Sequence, residues 1–286
     1  MADDNKEIPD SKRKLFFGLF VFPLVIAVGM AVLLCTVVLM THEKETPDAL
    51  IAAIKKSSPS KRWQKAFELS NELNRQGSDL RGKSVMNEII QVLEDPQSYD
   101  SKTRGYMAVA LAHFDAPEAK ASLRKTLSDP DDELRLYVLW SLGVLHEGAA
   151  APDVERYLKS DSADVRKTAA YVLGVLGQPQ SREPLRPLLK DVTEDVRWNA
   201  ALALARLGDA GGAEVLMKML ERQELSSQNL DEEQIEAVMT NAAKGLALIR
   251  KPESIKILES ISRSDKNMKV RQAALRALDF QMEKNS

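Results

Sequence analysis

The sequence predicts an all-α protein: a right-handed α-solenoid of stacked helix-turn-helix repeats, preceded by one N-terminal transmembrane helix. Three observations carry this. The stretch from Asp164 to Gly177, DVRKTAAYVLGVLG, recurs 31 residues later as DVRWNAALALARLG and 31 residues earlier as ELRLYVLWSLGVLH. The apolar residues inside it are spaced for a helix. Finally, 26 residues from Leu15 to Met40 carry no charge. A fixed period of this size marks an architecture in which each repeat buries its apolar face only by stacking on its neighbours.

In the central repeat Val165, Ala169, Val172 and Leu176 fall on one side of a helix, and Ala170 and Leu173 widen that stripe. Gly177 follows the last apolar position, where a helix commonly ends in a left-handed residue. Pro179 blocks continuation, and Ser181 opens a second helix, SREPLRPLLKD, with Leu185, Leu188 and Leu189 on one side. A short link containing Asp191 leads to the next copy.

With Arg166 as anchor, the equivalent positions are Arg104, Arg135, Arg197, Met239 and Arg271, and a leucine sits seven residues after each anchor. The acid–aliphatic–Arg starts, the small pairs Ala169-Ala170 and Ala200-Ala201, and the Leu-Gly ends resemble the HEAT family, in its short bacterial, phycobilisome-lyase-like form. The resemblance covers roughly residues 47 to 284 and departs from the pattern at Met239, where the arginine is missing. It implies a protein-binding solenoid.

Along the chain, residues 1–14 are polar, charged and interrupted by Pro9, and read as a disordered cytoplasmic tail. Residues 15–40 read as a transmembrane helix: 26 residues at 1.5 Å each span about 39 Å against a hydrocarbon core of roughly 30 Å. The alternative of a lipoprotein signal at Leu34-Cys35 is disfavoured, because a large residue precedes the cysteine and an apolar run follows it. Lys12-Arg13-Lys14 before the run predict a single-pass bacterial inner-membrane protein with a cytoplasmic N-terminus and a periplasmic solenoid. Residues 41–286 form the solenoid, whose first helices are expected near Ser101, Asp132, Ala163 and Glu194. Between the anchors Arg197 and Met239 the spacing grows from 31 to 42 residues, which places an inserted loop near Arg222 to Asp231.

The formal charge of −2 argues against a general phosphate-binding surface, so no nucleic-acid partner is expected. The histidines His42, His113 and His146 are not at metal-ligand spacing on one helical face, and Cys35 is the only cysteine. The iron-binding HEAT protein deoxyhypusine hydroxylase uses His-Glu pairs; here only His42-Glu43 and His146-Glu147 occur, neither on the first helix of a repeat. No catalytic residue, cofactor or metal site is assigned, and no enzymatic activity is expected.

The recurrent Arg104, Arg135, Arg166, Arg197 and Arg271 lie near joints holding Asp129, Asp161, Asp191 and Asp265. Stacking would align them into a structural Arg–Asp ladder with charge-assisted hydrogen bonds between repeats. On the second helices Lys125, Arg156 and Lys218 share a column, but Pro187 interrupts it and Glu155, Glu183 and Glu214 neutralise it. Leu136, Lys167 and Trp198 share another column, off the apolar stripe, and form the candidate protein-binding row. Packing of Trp198 along a neighbouring helix is the competing reading. Trp140, in a column with Tyr171 and Leu202, is expected in the core. The function expected is a membrane-anchored scaffold that binds protein partners, such as subunits of a membrane complex, and reaches the bilayer through residues 15–40. A phycobilin-lyase-like subunit or a chaperone of exported proteins is the alternative.

Overall fold

Three of the regular first helices begin where a short polar side chain satisfies a free N–H of the helix start. Asp100 accepts from the Thr103 amide at 2.9 Å, Asp131 from Leu134 at 3.0 Å, and Ser162 from Val165 at 3.4 Å. Asp231 and Gln234 form a reciprocal capping box. The helices accordingly start at Ser101, Asp132, Ala163 and Glu194, the positions the repeat period predicts.

The computed structural model describes residues 21–41, 46–75, 82–228, 230–249 and 251–283. In chain order its helices are α1 (Phe22–Thr41), α2 (Pro47–Lys56), α3 (Pro59–Arg75), α4 (Lys83–Leu93) and α5 (Ser101–Leu111). Next come α6 (Pro117–Thr126), α7 (Asp132–Val144), α8 (Ala151–Glu155), α9 (Ala163–Leu176), α10 (Arg182–Leu185) and α11 (Glu194–Arg206). The last are α12 (Ala213–Lys218), α13 (Arg222–Ser227), α14 (Glu232–Leu248), α15 (Pro252–Ser264) and α16 (Met268–Glu283). Among the described residues there is no strand.

The chain divides into two units at Thr46. The first unit contains α1, whose side chains from Phe22 to Thr36 are exposed. Among the described residues no helix is long and apolar enough to cross a membrane. This overturns the expectation of a single-pass inner-membrane protein with a periplasmic solenoid; neither the transmembrane helix at residues 15–40 nor its contact with the bilayer is supported. The polar tail, Leu15 to Phe20 and His42-Glu43 lie outside the described residues.

The second unit is the solenoid. Its first helices α3, α5, α7, α9, α11, α14 and α16 pack each against the next, while the shorter second helices lie along the other side of the row. The stripe residues are buried: Val165, Ala169, Ala170, Val172 and Leu173 have no exposed surface, and neither do Leu134, Leu142, Val196 and Leu204. One apolar cluster runs from Leu50 to Leu207 and a second from Ala201 to Ala277. They meet in α11, which gives Ala200 and Leu204 to one and Ala201 and Ala205 to the other.

The second helix expected from Ser181 is broken into a 3-10 turn at Pro179–Ser181, the short α10, and a 3-10 turn at Arg186–Lys190. Pro184 and Pro187 each lack the N–H an α-helix would use there. At the other end of the array, the buried Gln281 amide donates to Leu246 O at 2.7 Å and Ile249 O at 3.1 Å, closing the end of α14.

The turns after α7, α9 and α11 each hold a left-handed residue. Gly177 and Gly208 supply it at φ 70° and 73°, but the equivalent residue after α7 is His146, at φ 48°. A side chain with a Cβ is strained there, whereas glycine is not. His146→Gly should therefore stabilise the solenoid by about 0.5–1 kcal/mol. Thermal melts of the two proteins check this: a variant that melts no higher would mean the histidine side chain offsets its own strain.

Candidate functional site on the first helices

The links between repeats are organised around one acidic position. Asp129 accepts from the Asp131 amide at 3.1 Å, Asp191 from Thr193 at 2.8 Å, and Asp265 from Asn267 at 2.8 Å, so each carboxylate folds its own link. Each also binds an arginine from earlier in the chain. Arg104 Nη2 lies 2.9 Å from Asp129, and Arg166 is bidentate to Asp191 at 2.8 and 2.9 Å. Asp265 is held bidentately by Arg222 at 2.9 and 2.7 Å. The next arginine then donates to the carbonyl of the same residue: Arg135 to Asp129 O at 2.6 Å, Arg197 to Asp191 O at 2.8 Å, and Arg271 to Asp265 O at 2.7 Å. One aspartate thus ties together two arginines and the link between them.

Two assignments of the predicted ladder change. Asp161 is exposed and offers only its carbonyl to Arg166, at 3.0 Å. The position equivalent to Asp129 and Asp191 is Ser160, whose hydroxyl accepts from the Ser162 amide at 3.2 Å. Arg135 therefore has no carboxylate in the following link. It pairs with Asp132 in its own helix, stacks 4.9 Å over the Tyr157 ring, and keeps a buried Nε without a partner. The second change is at Asp265, whose carboxylate belongs to Arg222 rather than Arg271. The inserted segment, expected as a loop, contains α13, and its Arg222 serves where the Met239 repeat lacks an arginine.

The Arg166 guanidinium, against some burial, holds the Asp191 carboxyl below its ordinary range. At Asp265 burial pushes the other way and Arg222 outweighs it. A lowered folded-state pKa gives stability that is full above the unfolded value, near 3.9, and is lost as pH falls through the folded one. Arg166→Ala should cost about 2–3 kcal/mol at neutral pH, with the deficit shrinking below about pH 4. Ser160→Asp should add about 1 kcal/mol by supplying the acceptor that Arg135 Nε lacks, and lose that gain over the same acid range. Denaturant titrations across pH check both signs; a pH-independent gain at position 160 would show that Arg135 is not its source.

The opposite side of the first helices is where function can reside. On the 100° per residue of a helix, Trp140 and Tyr171 lie about 150° from the middle of the apolar stripe. Trp140 is accordingly 49% exposed, which corrects its expected place in the core; its indole stacks on Tyr171, with centroids 6.1 Å apart and planes 8° from parallel. Tyr106 meets Phe67 and Tyr137 at 5.4 Å and Trp63 at 6.4 Å. A Cβ on Gly105 would fall 2.3 Å from the Tyr137 ring, so the glycine makes room for this aromatic row. Burial, then the Tyr106 hydroxyl, pushes the Tyr137 phenol up to about 12, which keeps it neutral.

Beyond Tyr171 the same face turns cationic. Arg206 lies 5.1 Å above the Tyr171 ring. A cavity of about 410 Å³ runs past Asn199, Leu202 and Asn241 to Lys244 and Leu248. It continues into one of about 640 Å³ between α14 and α16, walled by Ala247, Leu248, Ala273, Arg276 and Phe280. Sequence reasoning missed this groove. Its signal was the set of residues one, five and nine after each anchor, such as Thr240-Lys244-Leu248 and Gln272-Arg276-Phe280.

The row Leu136, Lys167 and Trp198 is not an open surface. Leu136 and Trp198 are half-buried against the apolar clusters, and Trp198 lines a smaller cleft with Leu189, Val215 and Leu225. Lys167 is engaged by Asp164 at 2.8 Å and Asp195 at 3.7 Å. Trp198→Ala should thus act on stability, by about 2 kcal/mol for a half-buried ring. A thermal melt checks it, and an unchanged melting temperature would return Trp198 to the surface. His146 and the remaining described histidine, His113, stand in no cluster, and among the described residues no group of His, Cys, Asp or Glu side chains could hold a metal ion.

This architecture is that of HEAT repeats, whose family model matches residues 86–171 and 153–227. Residues 86–227 are therefore HEAT repeats. No curated protein matches the sequence. Among solved structures, the chain is similar to one in the complex of CpcE and CpcF of phycocyanin lyase from Nostoc sp. PCC7120. The identity is 18%, covering 84% of this chain and 96% of that one, with a TM-score of 0.56. Human deoxyhypusine hydroxylase matches at 16% identity over 83% of this chain and 96% of that one, with a TM-score of 0.36. A designed armadillo repeat protein matches at 16% identity over 83% and 100%, with a TM-score of 0.43. At 18% identity the likeness to the lyase chain is one of fold.

Proposed function

We propose that this HEAT-repeat solenoid is a non-catalytic scaffold that binds a protein partner through the outward face of its first helices, as an accessory or assembly subunit of a complex. The observation that carries the reading is the exposed aromatic and aliphatic row in register from repeat to repeat. Phe67, Trp140, Val144, Leu248 and Phe280 are 44%, 49%, 44%, 41% and 37% exposed on α3, α7, α14 and α16. Single exposed apolar residues are ordinary, but a row on a rigid array is the composition of an interface, where Trp and Tyr act as anchors. The similar lyase chain belongs to a complex of CpcE and CpcF, which supports association with another protein as a use of this fold. The same likeness is what favours the second reading, a lyase-like subunit.

Trp140→Ala should weaken the complex by about 2 kcal/mol or more while changing the melting temperature little, because an exposed ring leaves no cavity. The measurement is co-purification of tagged wild-type and variant full chains from the native host, with thermal melts of both. A variant that keeps a stoichiometric partner, or a wild type that brings none, removes the reading.

A further inference from the structure

The groove from Tyr171 to Phe280 has a composition that specifies its occupant. Its floor and walls are Leu202, Ala247, Leu248, Ala273 and Phe280, all apolar. Its polar rim holds four cations, Arg206, Lys244, Lys269 and Arg276, against the single carboxylate of Glu236. That carboxylate is already used: it accepts from Lys269 Nζ and from Asn267 Nδ2, both at 2.8 Å. Among the described residues, Lys244 and Arg276 have no carboxylate within ion-pair distance, and Arg206 has only the Tyr171 ring. Several other cations of the solenoid are answered by acids, as at Lys55–Glu88, Lys83–Glu118 and Lys125–Glu94. Here Arg206, Lys244 and Arg276 stand together over one apolar trough.

We propose that this groove docks an acidic, amphipathic segment of a partner protein, with apolar side chains against Leu248 and Phe280 and carboxylates on Arg206, Lys244 and Arg276. The inference rests on the scaffold reading and adds the chemistry of the partner. Charge complementarity selects the acids, because a carboxylate placed between Arg276 and Lys244 exchanges water for charge-assisted hydrogen bonds at a half-enclosed site. The trough selects the amphipathic character. A phosphodiester strand would meet the same cations yet leave the alanine and leucine walls uncovered, and the formal charge of −2 draws no polyanion to the rest of the chain. The groove lies between consecutive helices, as expected where a partner's helix or extended segment lays an apolar edge along an array.

The test uses the full chain and a random-peptide display library, so that the probe carries no assumption about sequence. Selection on the wild type should enrich peptides combining Asp and Glu with Leu or Phe, and their binding should weaken with salt. Lys244→Glu with Arg276→Glu should reduce recovery of that pool by about tenfold or more and shift the variant's own pool toward Lys and Arg. The neutral pair Lys244→Gln and Arg276→Gln should fall between them, and unchanged thermal melts show that folding is intact in all three. A wild-type pool that is apolar but neutral or basic overturns the acidic partner while leaving the scaffold. Recovery unaffected by charge reversal moves the site elsewhere and overturns it too. So does displacement of the pool by single-stranded oligothymidylate at lower concentration than by free peptide, which would assign the groove to nucleic acid. A dimer seen in sedimentation of the wild type and lost in the charge-reversed variant would assign it to a second copy of the chain. No enriched pool, together with no partner in the Trp140 experiment, ends both readings.

Discussion

The array depends on the aspartate that closes three of its links, Asp129, Asp191 and Asp265. An α-solenoid has no single core; repeats adhere to neighbours one interface at a time, so any weak joint is a place where the stack can open. At Asp129, Asp191 and Asp265 the same residue turns the link, receives the preceding arginine on its carboxylate, and offers its carbonyl to the following one. The carboxylates at Asp129 and Asp191 are only 13% and 11% exposed, so screening by water is weaker than at a surface pair. Geometry, more than charge count, gives the joint its value: a bidentate guanidinium fixes the angle between repeats as well as their distance.

Irregularity in the sequence is absorbed by moving a partner rather than by abandoning the joint. The Met239 repeat has no arginine, and the insertion that precedes it brings Arg222 to Asp265 from 43 residues earlier in the chain. Glu232 also binds Arg222, at 2.6 Å, so the same guanidinium braces the start of α14. The joint at Ser160 has no such replacement. There Tyr157 takes over part of the role, its ring under Arg135 and its hydroxyl donating to Leu127 O at 2.6 Å. That joint also adjoins the repeat whose turn is strained at His146. The joint without a carboxylate and the strained turn thus both fall between α7 and α9, the helices that carry the Trp140–Tyr171 stack.

What was legible in the sequence was whatever is local. The period, the helix starts at Asp132 and Ala163, the left-handed Gly177 and the buried stripe follow from residues within a few positions of one another, and the structure has them. Pairings across repeats were less legible. Asp161 looks like a rung because it is acidic and near the joint, but the register that sets Arg104 on Asp129 and Arg166 on Asp191 sets Arg135 on Ser160. Trp140 looks like core because its column is apolar, although its angle around the helix turns it outward. Column chemistry and helical angle are independent, and at Trp140 the angle decides burial. Trp198 shows the converse: its angle is outward, yet the second-helix residues Leu189 and Val215 and the inserted Leu225 close over that flank.

Committing one side of every first helix to stacking has a consequence for the other side. The stripe and the aspartate joints fix the helices at repeat spacing, so side chains opposite the stripe stand in rows whose spacing no longer costs anything to hold. A partner meeting such rows loses only its own freedom, and preorganisation of this kind raises affinity without larger contact area. The rows are not uniform along the array: aromatic contacts dominate from Trp63 to Tyr171, and unanswered cations from Arg206 to Arg276. The Tyr171 ring, stacked by Trp140 on one side and covered by Arg206 on the other, joins the two halves. An apolar half gives adhesion with little selectivity, whereas a cationic half rejects basic segments and orients acidic ones. A ligand satisfying both would have to carry its apolar and acidic residues in one order along its length, so the gradient along the array would set the direction in which it lies.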